Sequence, residues 1–167
     1  MEKQIILMDS ARIERTLMRM ALQIWERMGT ENEGELVLIG LNERGYATAL
    51  EIARYLEIQM ESEMEVYRYD VQGKAPQNNL PDCNDKFVLI VDDVIFSGKT
   101  MFAALSTVCS IYEPASIEIA TMVDRGHRKY PLRTDLTGIT VPTKQGEHIE
   151  VMLKNGKLDE AILFKNK

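Results

Sequence analysis

The chain has 167 residues, 45% of them apolar, with a net charge of −6 and two cysteines. That length suits one domain with a proper core, and no apolar run approaches the eighteen residues of a membrane-crossing helix. The acidic balance disfavours general attraction to nucleic acid or an anionic membrane, and neither Cys83 nor Cys109 has metal or redox spacing.

Residues 5–8 form a short apolar run, read as an edge strand or docking arm. Asp9 or Ser10 can cap the helix that follows. Ile13, Leu17, Ala21, Ile24 and Met28 recur at helical spacing, and Met18 and Trp25 widen that apolar face, a surplus that suits a subunit contact but is read first as core. After a polar break at 29–34, residues 35–41 read as a buried strand. Asn42-Glu43-Arg44-Gly45 is a short loop before a helix over 46–56. A strand, a glycine-containing loop and a helix together make a phosphate-grade site. Residues 65–69 alternate as a third strand, and a polar Gly- and Pro-containing stretch runs on to Asp85. A loop of that length inside a compact domain is usually functional or disordered.

Residues 86–100 carry the strongest signal. Phe87 to Val91 is an unbroken apolar run, fitting a strand buried on both faces of a parallel sheet. Asp92 and Asp93 are expected to stop the strand and to surface at its carboxyl end, where α/β sheets bind ligands. The turn Phe96-Ser97-Gly98-Lys99-Thr100 leads into a helix over 101–112. Small residues at a helix N-terminus let a phosphate approach unpaired N–H groups. Two acids beside an anion cradle suit a sugar phosphate. The Gly-Lys-Thr end is not a Walker A loop, because Asp93 stands where that motif needs its first glycine.

The helix over 101–112 places Phe102, Leu105, Val108, Cys109 and Tyr112 on its buried face, and Pro114 ends it. Residues 116–123 read as another strand. Five basic or potentially basic side chains follow between Arg125 and Arg133. Residues 158–164 read as a last strand or arm. Strands alternating with helices imply an α/β, Rossmann-like, mostly parallel sheet flanked by helices.

Residues 88–100 resemble the phosphoribosyl-pyrophosphate (PRPP) signature of type I phosphoribosyltransferases. The run Val123-Asp124-Arg125-Gly126-His127-Arg128, with Pro131, Arg133, Asp135, Gly138 and Val141-Pro142-Thr143, is similar to the bifunctional pyrimidine operon regulators/uracil phosphoribosyltransferases of that family. The resemblance implies one phosphoribosyltransferase domain over 1–167, with a small β hood supplied mainly by 124–167, in which residues 139–153 give hairpin strands turning at 144–147. It implies that Asp92 and Asp93 hold the ribose hydroxyls, and Ile95, Phe96, Ser97, Gly98, Lys99 and Thr100 the 5′-phosphate. Arg44, Gly45 and Arg68 fall to the pyrophosphate, with Arg44, Asp92 and Asp93 as the catalytic set. Val123 and the Asp124–Arg125 pair fall to the base. Mg²⁺ is the implied cofactor, held by Asp92 and Asp93 directly or through water.

The implied reaction moves ribose 5-phosphate from PRPP to a nucleobase, uracil giving UMP and pyrophosphate. A homodimer or higher homo-oligomer and a cytoplasmic setting are expected. The family often has another basic residue and a Thr where this chain has Asn42 and Glu43, and close relatives carry an Asp at Tyr69. Those departures keep open a PRPP or nucleotide sensor without turnover. A purine phosphoribosyltransferase is a further alternative, because the PRPP signature does not identify the base. RNA-binding attenuation is the other. His127, Arg128 and Arg133 match part of the basic face of RNA-binding relatives, but Met18, Leu22 and Ile139 stand where those relatives carry polar or basic groups.

Overall fold

The computed structural model describes residues 2–30, 35–73 and 80–166. The elements run β1 (Lys3–Met8), α1 (Ser10–Thr30), β2 (Leu36–Leu41), α2 (Asn42–Met60), β3 (Val66–Tyr69) and β4 (Phe87–Ile95). Then follow α3 (Lys99–Ile111), β5 (Ser116–Asp124), β6 (Leu136–Thr140), β7 (Glu147–Lys154) and β8 (Lys157–Lys165). Five strands form one sheet in the order β3-β2-β4-β5-β6, every neighbouring pair parallel. A second sheet, β1-β8-β7, is antiparallel. Residues 124–167 therefore supply two strands of the small sheet, and β1 the third.

Alternation along the central strands assigns their side chains to two layers. Leu36, Leu38, Phe87, Leu89 and Val91 pack with α1, α2 and the small sheet. Val37, Ile39, Leu41, Val88 and Ile90 pack with Met101, Ala104 and Val108 of α3. Both faces are covered, which is why β2 and β4 read as continuous apolar runs. Asp9 caps α1, its Oδ1 accepting the Arg12 N–H at 2.8 Å. Ile13, Leu17, Met20, Ala21 and Ile24 form the buried face of α1.

Several expectations are corrected. Met18 and Trp25 lie outside the core, at 46% and 39% exposed. The helix expected at 101 starts at Lys99, and it turns Met101, Ala104 and Val108 onto the sheet, leaving Phe102 and Cys109 exposed. There is no loop at 42–45, because α2 begins directly at Asn42, whose φ is 57°. The hairpin lies later than expected. β6 joins the large sheet parallel to β5, and β7 and β8 are the antiparallel pair, with Asn155 and Gly156 at positive φ between them. Asp135 fixes that choice: its Oδ2 accepts Ile119 N–H at 2.9 Å, and its own N–H reaches Ile119 O at 2.9 Å. The carboxyl ends of all five parallel strands share one edge, which gathers Leu41, Tyr69, Ile95, Asp124 and Thr140.

Candidate active site

β4 does not stop at the two acids. It continues to Ile95, with Asp92 paired in register to Thr121 and Ile95 to Asp124. Asp92 is therefore buried, only 7% exposed, where surfacing was expected, while Asp93 is half-buried. Neighbouring strand residues face opposite ways, so continuing the strand through the pair sends one carboxyl inward. Asp92 Oδ1 accepts the Asp93 N–H at 2.9 Å. Burial, and then the nearby Asp93 charge, push the Asp92 carboxyl well above the usual carboxylate range. From β5, the buried Thr121 hydroxyl lies 3.2 Å from Asp93 O and 3.1 Å from Val123 O.

Gly98 then takes φ 85° and ψ 3°, and α3 begins. The carbonyls of the turn are held from behind. Ile95 O accepts Arg125 N–H at 3.0 Å, and Ser97 O accepts the N–H groups of Lys129 and Tyr130 at 2.9 and 3.0 Å. Phe96 O accepts Arg128 Nη1 at 2.8 Å. In a trans peptide the carbonyl and the next N–H point opposite ways. The N–H groups of Phe96, Ser97 and Gly98 are thus turned away from residues 125–130, and among the described residues they have no partner within the fold. A cavity of about 190 Å³ lies here, lined by Asp92 and residues 94–101. It is an anion nest with a carboxyl at its rim.

Phe96 also walls a second cavity of about 430 Å³, lined with Arg125, His127 and residues 143–147. The Arg125 guanidinium lies 4.1 Å over the Phe96 ring. It donates to Thr143 Oγ1 at 3.3 Å and Glu147 O at 2.6 Å, and burial lowers its pKa. The side chains of Asp124 and Arg125, both expected at the base pocket, diverge at the strand end. Asp124 instead accepts Arg128 Nη2 at 2.7 Å, Thr134 Oγ1 at 3.2 Å and Gly126 N–H at 2.9 Å. Val123 is fully buried in β5.

The remaining expected residues sit on the same edge. Arg44 is exposed in the first turn of α2. Gly45 packs against β4: a Cβ there would come within 2.8 Å of Val91 O and 3.3 Å of Asp92 Oδ1. Arg68 pairs with Asp70 at 2.8 Å, and Asn42 Oδ1 accepts Val71 N–H at 3.1 Å. The polar stretch expected to run to Asp85 falls partly on residues 74–79, outside the described residues. Lys99 and Thr100 are exposed at the start of α3. Of the three RNA candidates, Arg133 is exposed, His127 is exposed with its Nε2 on Thr143 O, and Arg128 is turned inward. Residue-type reading missed the Phe96–Arg125 stack, Thr121 and Glu147. Thr143 alone had a signal, in the Val141-Pro142-Thr143 run.

Residues 6–155 match the family of the phosphoribosyl transferase domain. The chain belongs to this family. It is 36% identical to a bifunctional protein PyrR of Listeria monocytogenes serotype 4b (strain CLIP80459), over 100% of this chain and 99% of that protein. It is 32% identical to the bifunctional protein PyrR of Bacillus pumilus, over the full length of both. Among solved structures, the hypoxanthine phosphoribosyltransferase of Trypanosoma cruzi superposes with a TM-score of 0.78 over 97% of each chain at 16% identity. A hypoxanthine-guanine phosphoribosyltransferase from Schistosoma mansoni in complex with IMP gives 0.74 at 21% identity, over 96% of this chain and 81% of that one. At those identities the likeness concerns the fold, and the mostly parallel sheet with its small antiparallel partner is that of a type I phosphoribosyltransferase. Among the described residues, no helix is long and apolar enough to cross a membrane.

Proposed function

We propose that this phosphoribosyltransferase joins the ribose 5-phosphate of PRPP to uracil, releasing pyrophosphate. The observation that carries the PRPP part is the end of β4, where the Asp92 carboxyl and a row of outward N–H groups line one cavity and Asp93 follows Asp92 in the strand. The 5′-phosphate caps α3 and takes the N–H groups of Phe96, Ser97 and Gly98, with Ile95, Lys99 and Thr100 completing the wall. Asp92 and Asp93 accept the ribose hydroxyls. Arg44, the N-terminal turn of α2 at Gly45, and Arg68 face the pyrophosphate. The base lies in the neighbouring cavity, against the Phe96–Arg125 stack and beside the end of β5 at Val123 and Asp124.

The two acids offer hard oxygen donors, and among the described residues no cluster of three or more metal-ligating side chains exists. That donor set fits Mg²⁺ carried largely by substrate oxygens and water rather than by a protein cage. When bound, Mg²⁺ would neutralise diphosphate charge and orient it. The chain itself fixes the partners and places charge. N1 of uracil forms a bond to C1 of the ribose as the C1–O bond breaks; pyrophosphate carries away the electron pair, and the N1 proton leaves to pyrophosphate or water. Asp92 and Asp93 lie beside the positive charge that develops on the sugar, and Arg44 beside the negative charge on the leaving group.

Uracil is supported by residues 123–143, similar to uracil phosphoribosyltransferases, and by full-length likeness to proteins called PyrR. RNA control is disfavoured by the exposed, apolar Met18 and Leu22 and by the inward Arg128. A homodimer in the cytoplasm completes the reading. It rests on the exposed apolar row Met18, Leu22 and Trp25, and sedimentation tests it. The deciding experiment offers uracil, hypoxanthine, guanine and xanthine together with PRPP and Mg²⁺. UMP should be the product, with no salt-dependent RNA gel shift from the same preparation. IMP, GMP or XMP instead would overturn the uracil assignment, and PRPP binding without any product would select a sensor.

A further inference from the structure

Three consecutive carbonyls at the back of the β4–α3 turn are held by residues 125–130, but not in the same way. Those of Ile95 and Ser97 accept backbone N–H groups, which the chain cannot withdraw without breaking its own path. Among the described residues, that of Phe96 accepts only the side chain of Arg128, at 2.8 Å. The orientation of the Phe96–Ser97 peptide therefore depends on one guanidinium. Because that peptide is planar and trans, holding the Phe96 carbonyl backward holds the Ser97 N–H forward, into the 190 Å³ cavity.

The other end of the guanidinium is fixed as well. Its Nη2 lies 2.7 Å from Asp124 Oδ2, and Thr134 Oγ1 and Gly126 N–H hold the same carboxylate. Arg128 stands directly behind Gly98, whose Cβ would lie 3.5 Å from Arg128 Cδ. With Asp124 as its counter-ion it adds little net charge to the cavity, so it acts by geometry. Its Nε is buried without a hydrogen-bond partner among the described residues. An unmet donor at that depth is unfavourable for stability alone, and it fits a side chain kept for where its two amino groups reach.

We propose that Arg128 is a positioning residue for the phosphoribosyl donor. It sets the peptide that presents the Ser97 N–H to the 5′-phosphate, and it ties that cradle to Asp124 at the end of β5, beside the base cavity. The ligand named here rests on the phosphoribosyl-transfer reading; the peptide orientation does not.

The test compares Arg128→Met, which keeps length and loses the donors, with Arg128→Lys, which can reach one acceptor at a time. Calorimetry with ribose 5-phosphate, PRPP and pyrophosphate is paired with a crystal structure of Arg128→Met. In Arg128→Met the affinity for ribose 5-phosphate and PRPP should fall about tenfold or more, with pyrophosphate within about twofold, a split that a general loosening of the fold would not give. Arg128→Lys should recover part of the loss. The Phe96–Ser97 peptide should be turned in the crystal of Arg128→Met. Unchanged ribose 5-phosphate affinity, an equal loss for pyrophosphate, or a peptide still facing the cavity would overturn the assignment. Should Arg128→Met not fold, the same split in Arg128→Lys decides. Wild-type protein that binds neither PRPP nor ribose 5-phosphate would end the functional reading, while the peptide orientation would still judge Arg128.

Discussion

Two strand-to-helix junctions lie side by side on the sheet edge, and they differ more than their sequences suggest. From β2 to α2 the chain passes straight into the helix, with Asn42 at φ 57° absorbing the bend. From β4 to α3 it makes a turn that a third segment braces from behind. Both contain a glycine with a structural duty, but Gly45 serves close packing against Val91 and Asp92, whereas Gly98 serves a left-handed backbone. A strand, glycine and helix in series therefore do not make a nest on their own. What makes one is an outside partner that captures the carbonyls, so that the amide hydrogens face the other way.

The sharpest way to break that comparison is to remove the acids at the braced junction. Asp92→Ala with Asp93→Ala should lower PRPP turnover about a thousandfold, ~4 kcal/mol, with an unchanged circular dichroism spectrum. Turnover near wild type would remove the ribose from this edge. Gly45→Ala probes the packed junction. Its Cβ would meet Val91 O at 2.8 Å, so urea unfolding should report a loss of about 1–3 kcal/mol. A neutral result would show that the junction gives way. Arg44→Ala should weaken pyrophosphate binding about tenfold, ~1.4 kcal/mol, and spare UMP; equal losses would move Arg44 away from the pyrophosphate.

The smallest effect concerns protons. Burial raises the Asp92 carboxyl above 3.8, so the folded chain keeps a proton that the unfolded chain releases. Stability contributed by this group is present below 3.8 and falls as pH rises toward the raised folded value. Asp92→Asn has no proton to lose. At pH 8 its melting midpoint should exceed that of wild type by about 2–4 °C for each kcal/mol relieved, and its dependence on pH should be flatter. A steeper slope in the variant would contradict the buried, proton-retaining carboxyl.

The parallel core was legible because β2 and β4 are buried on both faces, and an unbroken apolar run has few other homes. The anion nest was half legible. Residues 96–100 announced a turn before a helix, but the brace at 125–130 is distant in the chain, and nothing local ties Arg128 to Phe96. Charge misled twice. Asp92 was expected at the surface, yet the ladder to Thr121 continues past it. Arg128 reads as a solvated cation, yet two acceptors hold it inward. The β6 and hairpin boundaries failed because 136–153 alternates weakly, and only the Asp135 contacts with Ile119 decide which sheet each piece joins.

The burial of one thiol and the exposure of the other have a practical use. Cys83 is enclosed, and burial pushes its thiol up, while Cys109 is open near the far end of α3. A maleimide dye should mark one position only, without mutagenesis. It would sit on the helix whose first turn closes the nest, so its emission offers an optical readout of donor binding in real time.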